Sequence, residues 1–174
     1  MLKNLRINLV ILAVSAAALL GGFVSAAHAG ALSDYAENKI IDAVVRGQTL
    51  GAPATFYLGL ATDTCTDAGA GTEPSGNAYA RVAVASSLAN WSGTQAAAST
   101  TASSGTGGTT SNNNAIAWTA TSGAWGILQS VRWYDASSGG NVWICINLTS
   151  SLNVSGAGFT VSFAAGQLSV QIDN

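Results

Sequence analysis

From Pro53 onward, short runs alternating apolar and polar residues are separated by breaks rich in Gly, Ser and Asn. This pattern limits the fold more than any other feature of the chain. A period of two puts successive side chains on opposite faces of a strand, and the runs are enriched in β-branched and aromatic residues. Seven segments are read as strands, near Thr55–Thr62, Tyr79–Ser86, Ile116–Thr121, Leu128–Tyr134, Asn141–Leu148, Phe159–Phe163 and Leu168–Ile172. Asp135-Ala-Ser-Ser-Gly-Gly-Asn141 joins two of them as a short hairpin loop, with Gly139 and Gly140 suited to positive φ. Strands do not alternate with helices, which argues against a parallel α/β sheet. The expected fold is mainly β: an antiparallel β-sandwich or Greek-key barrel with one short N-terminal α-helix.

That helix is expected over 33–46. Ser33 is the N-cap candidate, Asp34 and Glu37 lie in the first turn, and Leu32, Ala36, Ile40, Ile41, Val44 and Val45 form one apolar stripe. Asp42 and Arg46 are spaced to pair at i,i+4, and Gly47 follows as a stop. A helix this short needs a docking surface. It either covers the end of its own domain or reaches a neighbouring subunit. Between Ser92 and Asn114 only Ser, Thr, Gly, Ala, Gln and Asn occur. Such a stretch cannot offset its ordering entropy by burial, so 92–114 is read as a flexible loop.

The first 29 residues have the layout of a secretory signal peptide. Lys3 and Arg6 precede an apolar run from Leu9 to Val24, and Ala27-His28-Ala29 is a small-x-small site ending before Gly30. The expected cleavage lies between Ala29 and Gly30; a retained anchor and an early start codon are the competing readings. Cleavage leaves residues 30–174 as a single domain with four cations (Lys39, Arg46, Arg81, Arg132) against all eight acids, a net charge of −4. No later apolar stretch approaches the ~18–20 residues that span a bilayer, so no membrane partner is expected after cleavage. Export also suits Cys65 and Cys145, the only two cysteines, as a disulfide candidate; two buried free thiols are the alternative.

Charged residues make up 8% of the chain, against about 25% in an ordinary soluble domain. Six unclustered Lys and Arg cannot neutralise a nucleic-acid backbone, so no nucleic-acid partner is expected. The single histidine, His28, falls in the leader, which leaves the remainder without a Ser-His-Asp triad or a Cys-His pair. No catalytic residues and no cofactor are assigned. Asp63, Asp67 and Glu73 share one loop and are the only oxygen-donor set worth weighing for Ca²⁺, although their spacing does not match an EF-hand. Arg81 lies in an otherwise apolar segment and needs a carboxylate; Glu73 is the candidate for a structural ion pair. Of five tryptophans, Trp118, Trp133 and Trp143 read as core. Trp91, beside the flexible loop, is the candidate for contact with a surface or a glycan.

These residues also carry a resemblance. Ala31 to Ile41, Pro53 to Leu60, Glu73 to Arg81, Trp125-Gly126, Tyr134-Asp135-Ala136 with Gly139-Gly140-Asn141, and Phe163 to Leu168 occur in an order and spacing that resembles a family of small tailed-phage proteins. That family is labelled phage tail fibre protein and is sometimes treated as a minor capsid or head-decoration protein. The resemblance implies a virion structural protein without catalysis that packs with copies of itself and with other virion subunits. The leader departs from the family pattern, which keeps a second expectation open: an exported adhesin, an extracellular filament subunit or a carbohydrate-binding module, with a host-surface glycan as partner. Localisation follows the same division, extracellular if the leader is genuine and virion otherwise.

Overall fold

The computed structural model describes residues 21–23, 31–93, 100–104 and 108–172. The proposed cleavage site at Ala29–Gly30 lies outside the described residues. In chain order the elements are β1 (Gly21–Phe23), β2 (Ala31–Leu32), α1 (Asp34–Val44), β3 (Thr55–Ala61), β4 (Val82–Ala85), β5 (Trp91–Ser92), β6 (Thr109–Asn112), β7 (Ile116–Thr119), β8 (Gly126–Tyr134), β9 (Val142–Val154), β10 (Thr160–Phe163) and β11 (Ser169–Gln171).

The largest sheet is antiparallel, ordered β2-β9-β8-β3-β4. At its centre β8 and β9 form a hairpin. Asp135 closes the connecting loop: its Oδ1 accepts the Asn141 N–H at 2.7 Å and its Oδ2 accepts from Asn141 Nδ2 at 2.9 Å. Gly139 and Gly140 hold φ of 61° and 74°, as a loop this tight requires. Two three-stranded sheets, β1-β10-β7 and β11-β6-β5, complete the molecule in a sandwich-like arrangement. Leu58, Leu60, Val131, Trp133 and Ile146 from the large sheet bury against Trp118, Val161, Phe163, Leu168 and Val170 from the smaller ones. Among the described residues no sheet closes on itself, so the barrel alternative is not adopted.

Three segments differ from the sequence reading. Tyr79–Ser86 becomes a strand only over Val82–Ala85. The stretch 92–114 read as loop contains the end of β5 and all of β6, and its residues 94–99 and 105–107 lie outside the described residues. The strand expected to end at Leu148 runs on to Val154 through exposed Thr149, Ser150 and Ser151, because its far end pairs with Gly126–Leu128. In each case backbone pairing with a neighbour decides the conformation, and side-chain alternation does not record it.

Helix α1 is capped as expected, with Ser33 Oγ accepting the Ala36 N–H at 3.2 Å. Ser33 also ties the helix to the large sheet, its hydroxyl donating to the Val142 carbonyl and its N–H to the Trp143 carbonyl. Of the apolar stripe on the helix, only Ala36 is buried.

Candidate functional site

Arg81 and Glu73 meet beside the large sheet. Arg81 Nη2 and Nε reach Glu73 Oε2 at 2.6 and 3.0 Å, and Nε also lies 3.1 Å from Oε1. Arg81 Nη1 donates to the carbonyls of Ala136 and Gly139 at 2.6 and 2.7 Å, so the cation pins the β8–β9 loop as well. The guanidinium lies over the Tyr134 ring, 3.3 Å from its centroid. Glu73 Oε1 accepts from Tyr79 Oη at 2.7 Å, and that oxygen accepts the Leu60 N–H at 2.7 Å where β3 has run past its pairing with β4. Tyr79 thus covers an open strand edge. Burial, reinforced by the Glu73 charge, pushes both the Tyr79 and Tyr134 phenols above their ordinary value.

A second buried cation lies nearby. Arg132 is fully buried. Its Nη1 donates to Asp63 Oδ1 at 2.8 Å, its Nη2 to the Thr64 carbonyl at 3.0 Å, and its Nε lies 3.2 Å from Cys145 Sγ. Cys145 is disulfide-bonded to Cys65, and the Cys65 N–H donates to Asn147 Oδ1 at 2.7 Å. Gly71 (φ 74°) lets the loop pass over the guanidinium: a Cβ there would fall 1.0 Å from Arg132 Nη1. Desolvation works against the Asp63 charge, but the hydrogen bonds from Arg132 and the Thr72 N–H outweigh it and hold the carboxyl below its ordinary value. The Asp135 carboxyl is likewise held low, desolvation being outweighed by the hydrogen bonds from Asn141.

The structure therefore brings Glu73 together with Arg81, and Cys65 with Cys145. It does not bring Asp63, Asp67 and Glu73 together. Asp63 and Glu73 are each taken by an arginine, and the Asp67 carbonyl accepts the Asp34 N–H at 3.1 Å. Among the described residues no group of three metal-donor side chains is gathered. Arg132 was missed by the sequence reading, although it carries the same signal as Arg81, a cation inside an apolar strand.

Trp91 is half-buried, its ring centroid 6.1 Å from that of Trp133. With Phe56, Leu88, Trp133, Ile144 and Val170 it lines an open groove of about 470 Å³, and no charged side chain is among the lining residues.

Comparison with known proteins adds one match. A family model described as "Podophage GP4 fiber I protein gp80" matches residues 31–171. No curated protein matches the chain.

Proposed function

Because the chain belongs to the podophage GP4 fiber I protein gp80 family, and so is a virion structural protein of phage fibre type, we propose that it is a non-catalytic fibre subunit that packs with copies of itself and with other virion subunits. The observation that carries this reading is the extent of the match, which runs from β2 to β11 and takes in α1 and the large sheet entire. The chemistry agrees with it. Glu73, Arg81, Asp63 and Arg132 are spent on holding loops, and hydroxyls and apolar side chains line the groove where a ligand would sit.

Mass spectrometry and antibody labelling of purified particles test the proposal. Label on fibres is the expected result; a chain absent from particles refutes it. The exported adhesin, filament or carbohydrate-binding alternative draws support from the partly open Trp91 ring in the groove. It requires binding on a glycan array that Trp91→Ala removes. Cleavage at Ala29–Gly30 stays part of that alternative and is read from the mass of the mature N-terminus.

A further inference from the structure

The disulfide between Cys65 and Cys145 has two unlike ends. Cys145 lies in β9 and is 4% exposed, whereas Cys65 is half-buried in the loop after β3, between exposed Thr64 and Thr66. Tyr57, Tyr134 and Val142 pack around the bridge. The Arg132 guanidinium meets its buried end, where the Nε–H points at Cys145 Sγ, 3.2 Å away. A disulfide sulfur is a weak acceptor, so this contact does little for a fully buried cation. A thiolate in the same place would accept a charge-assisted hydrogen bond. The other charges nearby are already matched. Asp63 takes the Nη1 end of the guanidinium at 2.8 Å, where its own side chain is 45% exposed and screened by water. Arg81, over the Tyr134 ring, is paired with Glu73.

We propose that Cys65 is a thiol-exchange site, at which a small-molecule thiol forms a mixed disulfide while Cys145 departs as a thiolate held by Arg132. The incoming thiolate sulfur bonds to Cys65 Sγ, the bond between the two protein sulfurs breaks, and its electron pair goes to Cys145 Sγ. One disulfide replaces another, so this step needs no outside oxidant or reductant. A second thiolate that attacks the mixed disulfide frees Cys65 and leaves with the first as a symmetrical disulfide. The protein dithiol then holds the two electrons that the two small thiols lost. Two features set the direction of attack. Cys65 is the sulfur nearer the surface, and the sulfur beside the cation is the better leaving group. Attack at Cys145 would bury the incoming thiol and expel Cys65 with no cation in contact. The loop keeps its place without the bridge. Arg132 Nη2 donates to the Thr64 carbonyl at 3.0 Å, the Cys65 N–H to Asn147 Oδ1 at 2.7 Å, and the Thr62 N–H to the Thr72 carbonyl at 2.9 Å. The two sulfurs therefore stay close after exchange, and the reaction reverses when the thiol is removed.

The test incubates the full chain, without denaturant, with glutathione at stepped concentrations, quenches with acid and maps the adduct by peptide mass. The expected product carries glutathione on Cys65 and a free Cys145, with near-ultraviolet dichroism retained. Glutathione on Cys145, or no adduct until denaturant is added, overturns the proposal and makes the bridge a permanent staple. Single-cysteine variants read the Arg132 contact apart from the exchange. In Cys65→Ser the thiolate absorbance of Cys145 is expected to persist to a pH lower by about one unit or more than that of Cys65 in Cys145→Ser. Adding Asp63→Asn frees the guanidinium for the sulfur and is expected to move the Cys145 signal lower still. A Cys145 thiolate that forms at no lower pH than that of Cys65, as burial alone dictates, or that ignores Asp63→Asn, overturns the role given to Arg132.

Discussion

Arg81 and Arg132 are both cations buried in apolar surroundings, and each is kept there by holding a loop. Arg81 joins Glu73 to the β8–β9 loop, with its side chain 6% exposed and that of Glu73 22% exposed. Removing one partner of a buried pair leaves the other charge uncompensated. Arg81→Ala is expected to cost about 3 kcal/mol, the low end for such a pair because Glu73 keeps some contact with water. Urea unfolding of the variant measures it, and a loss below about 1 kcal/mol would make the pair no more than a surface bridge. Asp63 sets a pH dependence. Its carboxyl is held below the ordinary carboxylate value, so the folded state favours the ionised form. The stabilisation is complete above that value and is lost as pH falls through the lower folded pKa. Asp63→Asn is therefore expected to be less stable than the wild type at neutral pH and to converge on it in strong acid. Because the Asp63 side chain is 45% exposed, solvent screening keeps the difference within about 1 kcal/mol. Parallel acid titrations of Tm would show either convergence or a constant gap, and a constant gap refutes the assignment.

Elements whose side chains alternate cleanly could be read directly. Leu58 and Leu60 in β3, Val131 and Trp133 in β8, and Ile144 and Ile146 in β9 announced strands because each pair, two residues apart, turns its apolar side chains into the same core. The helix was legible from Ser33 and its stripe, but the sequence cannot say whether a stripe is covered, and here half of it, Ile41, Val44 and Val45, is bare. Strand β6 was invisible. Thr109–Asn112 contains no bulky side chain, and its reason to be extended lies in Ser169–Gln171 on one side and Trp91–Ser92 on the other. Asn112 compensates for the missing apolar burial. Its Oδ1 accepts the Leu168 N–H at 2.8 Å, while Nδ2 donates to the carbonyls of Asn114 and Ala164, both at 2.8 Å. The residue is 1% exposed, so truncation leaves several buried backbone groups without partners. Asn112→Ala is expected to cost about 3 kcal/mol or more and to loosen β6 and β11 together. Hydrogen exchange would register this as faster exchange at Thr110 and Val170 with β8 unchanged. Uniform loss across all three sheets would mean that Asn112 supports the whole fold and not this corner. The candidate site was legible to a similar degree. Glu73 with Arg81 followed from the rule that a buried cation needs a carboxylate, whereas the groove is assembled from β3, β5, β8, β9 and β11 and no local pattern could foretell it.

For the whole molecule, the open question is how the strand edges are covered. In the large sheet, β2 is the edge beside β9 and β4 the edge beside β3. In the smaller sheet the backbone of Gly21–Phe23 runs parallel along Thr160–Ser162, so the outer edge of β10 is covered by residues that lie within the leader. The two readings of the leader therefore make different molecules. If the first residues are retained, β10 is paired on both sides, with β1 and with β7. If the chain is cut after Ala29, β10 becomes an edge strand, and a row of unpaired N–H and C=O groups is free to accept an extended segment from outside. Intact-mass measurement on protein from particles decides which molecule exists, and hydrogen exchange reads the consequence. In the retained form the amides of Thr160–Phe163 are expected to exchange uniformly slowly. In the cut form those pointing away from β7 exchange faster, unless a neighbouring subunit has replaced β1. Slow exchange in a cut chain at low concentration, where no neighbour is bound, would show that this edge owes its protection to something other than strand pairing.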